Sequence, residues 1–588
     1  MLVFLALACA PEPSKEDTAP LPPTAATFSR RDDDGLGPVA HAALDRMPDW
    51  LRPDLAVALR SVDGDRAEVL AQPLVDLDDP ALLDEAGFAL AHLSREVLAS
   101  RNFYPEVVVE NARRIYEADP LLDYVELVET GDPEVDADWS TTTRYRVMVD
   151  GVVEERTLAR ELYYGYVVHP RIEDENPWYI NAWRACTRSA LECATTPDDG
   201  TFWRSFLWEE AAATCPEGDV CPVVPEYLAG RDVLWGDPDG NDAVHGVAAM
   251  LLASPGEQGR WFNFGAYGER SIQPNRIYAL GRGNCGEWAD MTTSIARTAL
   301  VPNVNVAPAS WDHTWNAVWV DRWIAYEPVN WWFDHPYASG YTTWATNGDA
   351  SGFFQTEQYA PATAIVDITV TDPSGAAVDG ASVVLWTPYN DGWSYAGELV
   401  SDAAGRASFP VGADKEIGYI VSSPLGEFPG GNALDRATTG LAEGEVGSVA
   451  VTLEGSVPAA RLPAHTTTVD GGSVTLTTSL EAMGRSEGVS FRLGDTATTR
   501  GGAPALTTLV LTEDAYAAYV AGEAFDAVEG PVDPFASYVV VVANDAGVST
   551  AAVGRLTITW GAQSHAEDLA LPAGTYLAVG VEPVALTP

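Results

Sequence analysis

Residues 281–300, G-R-G-N-C-G-E-W-A-D-M-T-T-S-I-A-R-T-A-L, constrain what this chain can fold into more than any other segment. Asn284 is a good N-cap residue, and Glu287 three positions later completes the spacing of a capping box. Trp288, Met291, Ile295 and Ala299 then fall on one apolar stripe of a helix. Cys285 therefore takes the first helical position, after a glycine-rich approach that lets another backbone come close. The positive end of the helix dipole and the free N–H groups of the first turn favour a thiolate there. A purely structural cysteine is expected within the apolar stripe instead.

Three strands are expected downstream. V-N-V-A-P begins at Val304, D-H-T-W-N-A-V-W-V at Asp312 and R-W-I-A-Y-E-P at Arg322. His313 opens the second strand and Glu327 closes the third. Two registers are open for this hairpin. A two-residue turn at Asp321-Arg322 pairs His313 with Asn330 and puts Glu327 opposite Asn316, on the other face from His313. A three-residue loop, Val320 to Arg322, pairs Trp319 with Trp323 and Trp315 with Glu327, leaving His313 and Glu327 as diagonal neighbours. The carboxylate reaches the imidazole only with the longer loop. With the shorter one, Asn330 is the residue that orients the ring.

A cysteine at a helix start, then a histidine, then a carboxylate on adjoining strands is the order found in transglutaminase-like cysteine enzymes. The chain resembles that superfamily over roughly residues 160–335. G-N-C-G-E-W is similar to its nucleophile motif, H-T-W-N-A-V-W-V to its histidine strand and W-I-A-Y-E-P to its carboxylate strand. Y-Y-G-Y-V-V-H-P-R from Tyr163 and F-W-R-S-F from Phe202 resemble the helical lead-in of some bacterial members. The superfamily usually carries Asp where this chain has Glu327. The resemblance implies a papain/transglutaminase-like core, with the nucleophile on a helix N-terminus and the histidine and carboxylate on an antiparallel sheet. It also implies acyl transfer through a thioester, with water or an amine as acceptor. The backbone N–H of Cys285 is one expected oxyanion donor, and Asn284 or Trp261 are candidates for the second.

Composition narrows the class. The 588 residues carry 34 basic and 85 acidic side chains, a formal charge of -51. So acidic a surface repels phosphate backbones, which argues against nucleic acid as a partner. Apolar residues make up 46%, with 19 Trp, enough for several packed cores. No apolar run reaches the roughly 18 residues that span a bilayer. The only lysines are Lys15 and Lys415, so the chain offers few amines for its own crosslinking.

The N-terminus, M-L-V-F-L-A-L-A-C-A, is an apolar stretch ending at Cys9, followed by a Pro-, Thr- and acid-rich tract. It resembles a bacterial lipoprotein signal, which implies a lipid on Cys9 and a place in the cell envelope, at the outer membrane, or secretion. In an exported protein the remaining cysteines tend to pair. Cys186, Cys193, Cys215 and Cys221 lie in one loop-rich stretch and favour two local bridges, with three connectivities open. Cys285 is left over.

Other signals are weaker. D-P-D-G-N-D from Asp237 has the flavour of a calcium loop but lacks the bidentate Glu twelve positions after its first ligand. No metal site and no cofactor is otherwise expected. His41, His92, His169, His245, His335, His465 and His565 show no ligand spacing. Trp331, Trp332 and Phe333, with Trp311 and Trp315, fit either a core or the wall of a substrate groove.

The whole reads as a multidomain α+β chain in five parts. Residues 1–30 are signal and tether, and 31–158 a helical region with a β-hairpin turning at Asp150-Gly151. Residues 159–362 form the transglutaminase-like catalytic domain. Residues 363–455 resemble a carboxypeptidase-regulatory-like β-sandwich, and 456–588 form a second all-β sandwich. The expected function is an exported cysteine hydrolase or acyltransferase using Cys285, His313 and Glu327 on a peptide, protein or peptidoglycan-type substrate. The alternatives are an inactive surface binding or adhesion protein that keeps the fold, and a glycan-directed amidase.

Overall fold

The computed structural model describes residues 36–172, 202–253, 262–265, 273–309, 313–335, 342–346 and 352–585, short breaks within these ranges aside. Cys9, Cys186, Cys193, Trp261 and Trp311 lie outside the described residues.

The N-terminal region is helical to residue 118, as its periodicity predicts. The apolar pattern from Ala81 is interrupted, however: a helix at Leu83–Ala91 stops at His92, and a short one follows at Arg95–Ala99. The next helix, Glu106–Ala118, buries Val108, Ala112 and Ile115. Three antiparallel strands follow: β1 (Val125–Thr130), β2 (Ser140–Val149) and β3 (Val152–Thr157). Val149 pairs with Val152 across Asp150 and Gly151, both at positive φ, which is the tight turn expected of Asp-Gly.

The central unit sets one helix on one sheet. Short parallel segments β4 (Asn263–Phe264) and β5 (Arg282–Gly283) lead into the helix Cys285–Thr298. Strands β6 (Asn303–Pro308), β7 (Trp315–Trp319), β8 (Trp323–Glu327), β9 (Trp332–Phe333), β10 (Thr343–Thr346) and β11 (Gly352–Phe354) then build an antiparallel sheet in the order β11-β10-β6-β7-β8-β9. A hairpin from residues 488–501 extends it beyond β11. Trp288, Met291, Ile295 and Ala299 are all buried on the helix, as the stripe predicts. Met291 and Ile295 each contribute about 1.5–3 kcal/mol to holding the helix down.

The core under this helix is shared. Ile115, Tyr124, Tyr145 and Leu158 pack in one cluster with Trp288, Met291 and Ile295. The boundary expected at 158/159 therefore runs through packed side chains. The far end of the helix is tied to the same region: Tyr124 donates its hydroxyl to the Ala299 carbonyl at 2.5 Å, and Tyr145 to that of Leu300 at 2.6 Å. These carbonyls lack helical partners, so the two tyrosines act as a C-terminal cap supplied from elsewhere in the fold.

Beyond residue 362 the described residues are mainly β-strands, with one helix at Glu513–Ala521. Strands at Thr363–Thr371, Arg406–Gly412 and Val446–Thr452 make one sheet. Ser382–Tyr389, Gly392–Val400 and Ile417–Ser423 lie in a second. Val366, Ile368, Val383, Leu385, Phe409 and Val421 fill the space between them, a sandwich-like arrangement. Further sheets occur between residues 461 and 585. Among the described residues, no helix is long and apolar enough to cross a membrane.

Candidate active site

The approach to Cys285 is built by close packing. A Cβ on Gly283 would lie 2.2 Å from Cβ of Glu287, so only glycine lets the chain enter the helix at this angle. The Asn284 N–H donates to Oε2 of Glu287 at 2.8 Å, and the Asn284 side chain meets the Glu287 N–H in return. This capping box fixes Cys285 at the first helical position. The box uses the Asn284 backbone N–H and its side-chain oxygen and leaves Nδ2 outside it, so Asn284 stays, with the N–H of Cys285, among the candidate oxyanion donors. Cys285 is an unbridged, half-exposed thiol.

The hairpin adopts the longer loop. Trp319 pairs with Trp323, Ala317 with Ala325 and Asn316 with Tyr326. The Val320 N–H donates to the Arg322 carbonyl at 3.0 Å, closing the three-residue loop. This register brings Nε2 of His313 to 3.1 Å from Oε1 of Glu327. His313 also hydrogen-bonds with Cys285, so its ring lies between the thiol and the carboxylate. Asn330 is exposed at the end of a 3₁₀ turn, Pro328–Asn330, beyond the end of β8. Its orienting role depended on the shorter loop and does not hold.

Electrostatics at the ring follow from these neighbours. Burial favours the neutral imidazole, but hydrogen bonds to Cys285 and Glu327 and the negative charge of both outweigh it. The His313 pKa is pushed up to about 9 from an ordinary 6.5. The glutamate is almost fully buried and the histidine side chain is 19% exposed, so the pair is shielded on one side and open on the other.

The remaining expectations divide. Cys215 and Cys221 form a disulfide, one of the two local bridges expected. Among the described residues no group of three or more His, Cys, Asp or Glu is arranged to hold a metal ion. The acidic turn at 237–242 uses its carboxylates locally. Asp237 accepts from the Asp239 N–H at 2.8 Å, and buried Asp242 caps the helix Ala243–Leu251 and bonds Nδ1 of His245 at 2.7 Å. The aromatic run is split: Trp315 is buried in the sheet, whereas Trp331 and Trp332 are 48% and 42% exposed.

A feature missing from the sequence reading lies beneath the site. Asn303, Asn305 and Asn316 are buried between the sheet and the Cys285 helix, bonded to one another and to Thr293. The alternation N-V-N-V at 303–306 carries the signal, since two polar side chains point from one strand face into a helix.

No protein-family model and no curated protein matches this chain. Among solved structures it is similar to one titled "Structure of the Streptococcal ancillary pilin", at 11% identity, over 49% of this chain and 92% of that one. The TM-score is 0.14, so this overlap carries no argument about fold.

Proposed function

We propose that this chain is an exported cysteine acyl-enzyme of transglutaminase-like type, acting on peptide or amide bonds through Cys285, His313 and Glu327. One observation carries the reading: a single imidazole bonded to a helix-start thiol on one side and a buried carboxylate on the other. With Nε2 committed to Glu327, Nδ1 is the nitrogen left to take the thiol proton. Proton transfer gives a thiolate–imidazolium pair, which Glu327 steadies in place and charge.

The thiolate attacks the substrate carbonyl, and the oxygen gains negative charge as the tetrahedral adduct forms. The Cys285 N–H at the helix start donates to that oxygen in this reading, a contribution of about 3 kcal/mol in the transition state. Collapse of the adduct breaks the C–N bond, and His313 returns its proton to the departing amine. The thioester is then resolved by water or by a second amine, with His313 as base. Glu327 performs the task usually given to Asp, reaching the imidazole at 3.1 Å.

Anchoring through Cys9 would hold this site at the cell envelope on the tether of residues 10–30, with the sandwich modules beyond residue 362 as spacers or binding domains. The test is incubation of wild type and Cys285→Ala with an envelope proteome, with and without a biotinylated amine. New termini that depend on Cys285 establish a hydrolase, and amine incorporation establishes a transferase. Neither product, together with a Cys285 inert to alkylation, overturns the reading and leaves a surface binding scaffold.

A further inference from the structure

The thiol and the imidazole come from different elements, a helix and a strand, so their contact depends on how the two are locked together. The lock is polar. Asn316 lies three residues after His313, and its Nδ2 lies 3.0 Å from the carbonyl of Ala289, one helical turn after Cys285. The same amide lies 2.9 Å from Oγ1 of Thr293, 3.0 Å from Oδ1 of Asn303 and 3.1 Å from Oδ1 of Asn305. Thr293 donates to Asn303 or Asn305 at 2.8 and 2.7 Å, and Asn305 donates to Asp290 at 2.7 Å. All five side chains are at least nine-tenths buried.

Such a cluster is a poor way to gain stability. An apolar interface would bury the same area without desolvating amides, and the Asn303 Nδ2 has no hydrogen-bond partner among the described residues. What a hydrogen-bonded cluster provides is register. Apolar side chains tolerate sliding, whereas these donors and acceptors meet in one alignment of helix against sheet. A shift of one helical residue moves Cys285 by about 1.5 Å relative to His313. Displacement on that scale costs reacting groups on the order of 100-fold in rate.

We propose that Asn316 and Thr293 are positioning residues that set the Cys285–His313 contact. This deepens the acyl-enzyme reading and rests on it. Neither residue touches substrate; each acts through the helix–strand alignment.

The test reads the pH dependence of Cys285 alkylation by iodoacetamide in the full chain, with near-UV circular dichroism to verify folding. Wild type is expected to stay reactive well below the range where an isolated thiol ionises, near pH 8.5. Thr293→Val keeps the shape and loses the hydroxyl, while Thr293→Ser keeps the hydroxyl. Thr293→Val and Asn316→Ala should lose about tenfold or more of the rate at pH 6.5 and titrate like a free thiol. Thr293→Ser should retain the wild-type profile. A variant with only a general structural defect melts lower yet keeps that profile. If Asn316→Ala does not fold, the two Thr293 variants carry the comparison. A folded Thr293→Val with the wild-type profile overturns the positioning role alone. A wild-type profile that is already that of a free thiol overturns the acyl-enzyme reading and this inference with it.

Discussion

Glu327 accepts from His313 at 3.1 Å because the β7–β8 hairpin carries three loop residues and not two. The register that pairs Asn316 with Tyr326 brings the carboxylate and the imidazole together, and it leaves Asn316 to bond the helix carbonyl of Ala289.

The imidazole should titrate late. With its pKa raised to about 9, His313 holds its proton through neutral pH, so the favourable pairing is complete below its ordinary 6.5 and is lost as pH rises through about 9. Observation of the His313 ring by NMR should give a midpoint near 9. Glu327→Gln removes a charge and an acceptor and should lower it. An unchanged midpoint in that variant would mean the carboxylate does not act on the ring.

Gly283→Ala places a methyl group 2.2 Å from Cβ of Glu287 and must open the capping box. Loss of about 1 kcal/mol or more is expected, by comparison with other cap deletions. Urea unfolding measures it, and Glu287→Ala should show a similar loss through the other half of the box. A neutral Gly283→Ala would contradict the close approach described here.

The adjacent acids Asp84 and Glu85 offer a pH test elsewhere. Both are fully buried; Tyr164 donates to Asp84 at 2.5 Å and Tyr163 to Glu85 at 2.9 Å. Burial, and then the neighbouring Asp84, raises the Glu85 pKa well above 4.5, so the folded protein keeps a proton that the unfolded chain releases. Stability is therefore expected to fall as pH rises from the ordinary carboxylate range towards the raised value. Glu85→Gln should flatten that slope in urea unfolding between pH 4.5 and 7.5; a slope identical to wild type would contradict the buried acid.

Much of the site was legible because it is local. The capping box, the buried stripe from Trp288 and the Asp150-Gly151 turn each follow from residues within a few positions of one another. The hairpin register was narrowed to two choices, and only the fold selects the three-residue loop, since both place apolar side chains on a buried face. What could not be read was non-local. Tyr124 and Tyr145 cap a helix end 175 and 155 residues away, and no spacing rule reaches so far. Asn316 looks like an ordinary strand residue until Ala289 and Thr293 are set against it. The exposure of Trp331 and Trp332 was equally hidden, because an aromatic run signals burial by composition alone.

The rate of Cys285 alkylation at pH 6.5, compared between wild type and His313→Asn by intact mass and peptide mapping, addresses the proposed catalytic pair most directly. Cys285 in wild type should be modified at least tenfold faster than Cys285 in His313→Asn, since the variant lacks the imidazole that takes the thiol proton. Equal rates in the two proteins would show that Cys285 is an isolated thiol, and the acyl-transfer mechanism would be wrong.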